Sequence, residues 1–205
     1  EALLDGTIPY EMQEKYLNII LNESNRLAKL TNDMLDLNRI GAIGANLELT
    51  EFDLNAVIRD CVQSCEVQCN NKNLTVALIL SEEKMFVWAD LGKIGQVLYN
   101  LLDNAIKFSK NNSKITIETT CKNDRLIISL KDQGIGIPVE SLTNIWNRFY
   151  KTDFSRGKDK KGTGLGLSIV KEIIQAHGET INVISTEDVG SEFIFTLKLA
   201  KRELE

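Results

Sequence analysis

Four short blocks follow one another in the second half of the chain: Asn100 to Phe108 (NLLDNAIKF), Asp132 to Pro138 (DQGIGIP), Trp146 to Tyr150 (WNRFY) and Gly162 to Leu167 (GTGLGL). Two carboxamides four residues apart on a helix share a face and can reach one cation. A Gly-flanked aspartate at a strand end can read a base, and a glycine-rich turn entering a helix offers backbone N–H groups to phosphate. Each block is weak alone: a helix face with two Asn and a Lys resembles solvated surface, and a lone DxGxG is often a turn. Together they describe a nucleotide pocket.

At 205 residues and 43% hydrophobic content, the chain can bury a sizeable core, enough for one full domain and an appendage. Net charge is −5 with both signs interspersed, so no nucleic acid partner is expected. Lys158, Lys160 and Lys161 cluster near the glycines and concern phosphate or solvent. No apolar run approaches the ~20 residues that span a bilayer, so no membrane contact is expected of this fragment. The sequence opens inside a helical pattern, which suggests part of something longer. Cys61, Cys65 and Cys69 recur every four residues and would stripe a helix. With one distant His and no CxxC pair, core packing is expected over zinc, and Cys121, in a strand pattern, is expected to pack too.

Glu1 to Asp5 reads as the end of a helix, Gly6 as its stop and Pro9 as the first turn of the next. From Tyr10 to about Ile40, apolar residues at Tyr16, Ile20, Leu27, Leu30, Met34 and Leu37 alternate by three and four, the seam of a helical bundle. Such a stripe must pack on the rest of the chain or on a second copy; pairing is the preferred expectation. Gly41 and Gly44 mark its end and divide the chain into residues 1–45 and 46–205. The following patterns predict an extended segment at Leu47 to Leu49, a helix from Asp53 to about Asn70, and strands at Leu74 to Leu80 and Val87 to Trp88. Next come a helix from Leu91 to about Ser109 and a hairpin of Lys114 to Cys121 with Arg125 to Asp132. A short helix at Val139 to Trp146, a polar loop to Lys161, a helix from Leu165 to His177, and strands at Ile181 to Ser185 and Phe193 to Leu199 complete the pattern. Without strict alternation of strand and helix, the chain favours an α+β sandwich over a Rossmann arrangement.

The order and spacing of the blocks resemble the N, G1, F and G2 boxes of the histidine kinase catalytic domain, in the ATPase superfamily that includes gyrase, Hsp90 and MutL. The N-terminal helix resembles the second helix of a histidine kinase dimerisation domain. The resemblance implies a two-layer α/β sandwich of the Bergerat type, a mixed sheet with helices on one face, preceded by a long helix of a homodimeric four-helix bundle. It implies ATP and Mg2+, with Asn100 and Asn104 at the metal and phosphate site and Asn104 the better candidate for direct coordination. Lys107 would meet a phosphate as a point charge and Phe108 would pack near the base.

Asp132 would accept from the adenine amine, where guanine would oppose it with a carbonyl, and Gly134, Gly136 and Ile137 would let backbone approach the nucleotide. Gly162, Thr163, Gly164, Leu165, Gly166 and Leu167 would form a phosphate cradle, neither a Walker A loop nor a dinucleotide fingerprint. Ser155 to Lys161 would be the flexible part of a lid. In the F box, Trp146 stands where Phe is usual, Phe149 and Tyr150 would anchor the lid or pack structurally, and Arg148 would face the γ-phosphate or the partner helix. Asp103 is a candidate for orienting a proton or water.

The implied activity is transfer of the ATP γ-phosphate to a histidine on the dimerisation helix, with Asn100, Asp103 and Arg148 in catalytic roles. A response regulator receiver domain would take the phosphoryl group on an aspartate. No HExxTPL-like acceptor motif occurs, and the sole histidine, His177 in AHG, is expected to cap or pack, so Mg·ATP binding without autophosphorylation is expected. Glu179 replaces the second Gly of the family's AHGG, and Glu192 stands where a small hydroxyl residue near adenine is common. Rival readings are a MutL- or Hsp90-like ATPase, which would need a glutamate base where Asn100 stands, and a non-catalytic nucleotide-responsive interaction module. A serine kinase of the anti-sigma-factor type shares the pocket without needing the bundle helix. Unpaired thiols favour a reducing cytoplasm, for a free protein or the cytoplasmic part of a membrane-anchored sensor.

Overall fold

The computed structural model describes residues 7–42, 47–81, 85–152 and 162–200. The expected helix end at Glu1 to Asp5, the stops at Gly6 and Gly44, and the lid segment Ser155 to Lys161 lie outside them. Helix α1 (Tyr10–Ala42) runs 33 residues, as its three-and-four spacing predicts. Leu30 packs against the core, whereas Tyr16, Ile20, Leu27 and Met34 are exposed. No described helix is long and apolar enough to cross a membrane.

A two-stranded antiparallel ladder, β1 (Leu49–Asp53) with β3 (Phe86–Asp90), brackets helices α2 (Leu54–Ser64) and α3 (Glu66–Asn71) and strand β2 (Thr75–Ile79). Helix α4 (Leu91–Phe108) follows, then β4 (Lys114–Lys122), β5 (Arg125–Lys131), α5 (Gly166–Ala176), β6 (Ile181–Thr186) and β7 (Gly190–Lys198). The main sheet has the order β2-β4-β5-β7-β6, parallel between β2 and β4 and antiparallel elsewhere. This is the expected mixed sheet.

Its strands bury one side, as period-two alternation dictates. In register across it, Ile117 faces Leu130, Leu130 faces Phe193 and Phe193 faces Val183. Against that side α4 lays Ile94, Val97, Leu98, Leu101, Leu102, Ala105 and Ile106, and α5 lays Ile169, Val170, Ile173 and Ile174, all buried. The spacing leaves the other face of α4 for polar work.

Three local expectations need correction. The helix expected through Asn70 breaks at Cys65 (φ −101°, ψ 3°), where Ser64 Oγ donates back to the Cys61 carbonyl at 2.7 Å and the Cys65 N–H turns to the Val62 carbonyl. Val139 to Trp146 is one 3₁₀ turn (Val139–Ser141) and a run of tight turns whose bonds join Leu142 to Val139 and Asn147 to Asn144. Cys121 is exposed rather than packed, its Sγ 3.4 Å from Met85 Sδ. Cys65 and Cys69 do lie in the core, and among the described residues no His, Cys, Asp and Glu cluster is placed to hold a metal.

Candidate nucleotide-binding site

Helix α4 is fixed at both ends before it presents anything. Asp90 caps it, Oδ1 accepting from the Lys93 N–H at 3.0 Å, while the Asp90 N–H itself donates to His177 Nε2 at 3.0 Å. The other ring nitrogen of His177 lies 2.8 Å from the Ile173 carbonyl, which sets the tautomer and makes this histidine a tie between α5 and the start of α4. At the far end, Lys72 Nζ donates to the carbonyls of Ile106 and Lys107, both at 2.7 Å, satisfying groups a helix end leaves orphaned.

The polar face of α4 borders a cavity of about 390 Å³ with Asn100, Asp103, Asn104, Lys107 and Phe108. Lys107 pairs with Asp103 at 2.7 Å, one turn earlier. Asn100 Nδ2 is buried and has no hydrogen-bond partner among the described residues. An orphaned amide in a cavity wall fits a phosphate oxygen or, with the amide turned over, a hard cation. Asn100 therefore fits magnesium or phosphate, with Asn104 one turn on along the same cavity wall.

The aspartate comes from the end of β5. Asp132 is 6% exposed, and burial pushes its carboxyl above the ordinary carboxylate range, opposed by N–H groups of Gly134 (2.8 Å) and Ser191 (3.3 Å) donating to Oδ1. A Cβ on Gly134 would lie 2.6 Å from both Asp132 Oδ1 and the Phe108 carbonyl oxygen, so only glycine lets this loop close on α4. The Ile135 N–H donates to that same Phe108 carbonyl. Ser185 Oγ completes the loop's anchorage, accepting from Ile137 N–H at 2.9 Å and donating to the Gly190 carbonyl at 2.9 Å.

The glycine turn closes the opposite side. Gly164 takes φ +74° and its carbonyl accepts from the N–H of Phe149, itself at φ +63°. Two left-handed residues, one of them bulky, are held against each other, so the F-box and glycine turn share their strain. Trp146 stacks edge-on against Phe193 at 6.0 Å, and Tyr150 OH reaches Ser141 Oγ at 3.0 Å. Thr163 Oγ accepts from the Leu165 N–H and donates to Asp33 Oδ2 of α1 at 3.1 Å.

Of the expected site residues, Asn100, Asp103, Asn104, Lys107, Phe108, Asp132, Gly136, Ile137, Tyr150, Gly162, Thr163, Gly164, Gly166 and Leu167 border the one cavity. Gly134 donates to Asp132 without bordering the cavity, and Leu165 is wholly buried in the core. Arg148 is elsewhere: exposed, and paired with Glu172 of α5 at 2.7 Å, its guanidinium drawn by a nearby carboxylate rather than by the cavity. Glu192 also departs, accepting from Ser129 Oγ at 2.7 Å on the outer side of the sheet.

On β7 the hydroxyl at the cavity is Ser191, one residue earlier. Alternation along β7 could have found it, since 191, 193, 195 and 197 face inward together. Lys151 and Thr152 border the cavity as well, as do Asn22, Asn25, Arg26 and Asp33 of α1. On α1, Asn25 and Arg26 follow Asn22 by three and four and Asp33 follows Arg26 by seven, a polar stripe on one helix face, visible in the sequence but without an assigned neighbour.

Residues 89–201 match the family described as Histidine kinase-, DNA gyrase B-, and HSP90-like ATPase, and residues 1–43 match the His Kinase A (phospho-acceptor) domain. The sensor protein SrrB of Staphylococcus aureus (strain MRSA252) is 35% identical over 205 residues, 99% of this chain and 34% of that protein. The chain thus spans about a third of the length of the curated relatives it matches. Among solved structures, full-length ShkA in complex with AMPPNP superposes with a TM-score of 0.82 at 27% identity, covering 97% of this chain and 41% of that one. Histidine kinase ThkA in complex with response regulator protein TrrA gives 0.73 at 31%, covering 94% and 53%. By the match across 89–201 and the geometry of its cavity, this chain belongs to the histidine kinase, DNA gyrase B and HSP90-like ATPase family.

Proposed function

We propose that this chain is the ATP-binding catalytic region of a sensor histidine kinase, residues 46–205, joined to the second helix of a dimerisation hairpin in residues 1–45. The observation that carries this reading is a single cavity with a buried carboxylate, Asp132, on one wall and the glycine turn at the start of α5 on another. Both amide bonds to Asp132 use Oδ1, which leaves Oδ2 to accept from the adenine amine. The triphosphate then runs along α4 toward the backbone N–H groups that open α5.

Asn100 and Asn104 would hold magnesium, which supplies charge neutralisation across the phosphates. Lys107, already balanced by Asp103, orients the phosphates more than it neutralises them. The protein's task is alignment of the γ-phosphate for attack by an imidazole, with relay to an aspartate of a response regulator receiver domain, the kind of partner in the ThkA complex. The one histidine among these 205 residues, His177, is tied to Asp90 and Ile173, so the acceptor is a different imidazole. The exposed apolar residues of α1 suit a homodimeric bundle, with the catalytic part on the cytoplasmic side of any membrane. Asn100 at the general-base position weighs against a MutL- or Hsp90-like ATPase.

Calorimetric titration of ATP with and without magnesium, on this chain and on Asp132→Ala, tests the reading. Magnesium-strengthened binding that the substitution abolishes is expected. No binding in either condition would overturn the kinase assignment in favour of a non-catalytic interaction module.

A further inference from the structure

One wall of the cavity comes from outside the α/β part. Asn22, Asn25, Arg26 and Asp33 of α1 border it, on a helix otherwise rich in exposed apolar residues. The side α1 occupies is fixed by two contacts: α1 packs on α5, and Asp33 accepts from Thr163 within the glycine turn. That turn is the phosphate end, while Asp132 marks the base. Arg26 lies seven residues before Asp33, within about 20° of two full turns and about 10 Å along the helix. Both residues therefore project from one face of α1.

Resting on the ATP-site reading above, we propose that Arg26 binds the γ-phosphate and makes the site discriminate ATP from ADP. A third phosphate, the group farthest from the base, brings concentrated negative charge to the wall where Arg26 stands. Lys107 is spoken for by Asp103 within α4. Arg26 is held by Glu23 at 2.6 Å, with side chains 42% and 56% exposed, and a solvent-exposed pair of this kind exchanges its partner readily. A planar guanidinium can take two phosphate oxygens at once. ADP would leave Arg26 with Glu23; ATP would draw it into the cavity and pin α1 to the catalytic part until the phosphoryl group has left. Nucleotide state is then read by the helix that belongs to the dimerisation segment.

The experiment is titration of ATP and of ADP, each with magnesium, into the whole chain and into Arg26→Gln, Arg26→Lys and Glu23→Gln, with thermal melts to confirm folding. Arg26→Gln is expected to weaken ATP about tenfold while leaving ADP within about twofold, because a charge-assisted contact to one phosphate is lost. Arg26→Lys recovers part of the loss, and Glu23→Gln strengthens ATP alone by releasing the guanidinium. An ATP-to-ADP affinity ratio unchanged in Arg26→Gln, or equal weakening of both, overturns the inference while leaving the ATP site standing. Absence of ATP binding by the unsubstituted chain overturns both.

Discussion

The hydroxyl of Thr163 donates to the carboxylate of Asp33 across 3.1 Å, joining the glycine turn to a helix residue 130 positions earlier. The same hydroxyl accepts from the Leu165 N–H, so one atom shapes the turn and docks α1. Replacing Asp33 by Ala removes the docking bond and leaves the turn's own bond intact. A net loss of about 1.5 kcal/mol is expected, the low end for a hydrogen bond to a charged group because the site is half-open. Hydrogen exchange should report faster opening in α1, with no change in the amides of β5 and β7; unchanged exchange in α1 would mean the contact contributes nothing.

Asp132 carries a stability penalty, because its carboxyl is buried. Burial raises its carboxyl above its ordinary value of 3.8. As pH rises through that ordinary value the unfolded chain ionises first, so stability falls with rising pH across the window up to the raised value and stays lower above it. Asp132→Asn should therefore melt at a higher temperature than the parent at pH 7, with the difference vanishing near pH 3, and should lose ATP affinity. A lower melting temperature at pH 7 would show that the carboxylate's bonds to Gly134 and Ser191 outweigh its burial.

Lys72 caps the helix that carries Asn100 and Asn104. Its ammonium meets the carbonyls of Ile106 and Lys107 at 2.7 Å and of Ser109 at 3.4 Å. Lys72→Met keeps the stem and removes the donors, and should destabilise by about 2 kcal/mol in urea titration. Because Phe108 also receives the Ile135 N–H, slackening this end should weaken ATP binding as well. Lys72→Arg should restore part of both.

The cysteines should divide cleanly under thiol labelling. Burial pushes Cys61 up to about 12 and raises Cys65 and Cys69, whereas Cys121 is exposed on β4. Relative to an ordinary thiol, Cys61 holds about a thousandfold less thiolate at pH 8. Mass spectrometry of the native protein after brief alkylation should find one adduct, on Cys121, and four only after unfolding.

The elements legible in the sequence are those with strong, one-sided periodicity. Ile94 through Ile106 and the alternating strands β4, β5 and β7 announce both their type and their buried face. What was hidden depends on single bonds or on neighbours distant in sequence. The break at Cys65 turns on the Ser64 hydroxyl, and the turns after Val139 on i to i+3 bonds that no apolar period encodes. Arg148 sits in the right block but finds Glu172, 24 residues later. Ser191 and Glu192 differ by one step of the pleat, which exchanges cavity for outer surface. The polar stripe of α1 was readable as a stripe, yet only packing on α5 tells what it faces.

The place of β7 in the sheet governs when the pocket can exist. This last strand lies between β5 and β6, and it delivers Ser191 and Phe193 to the cavity. A nascent chain emerging residue by residue therefore holds β4 and β5 as a hairpin with one open edge until residues 190–198 arrive to fill the middle. Aggregation through that edge is a hazard of synthesis, and nucleotide cannot rescue the unfinished domain because its site is completed by the same late strand.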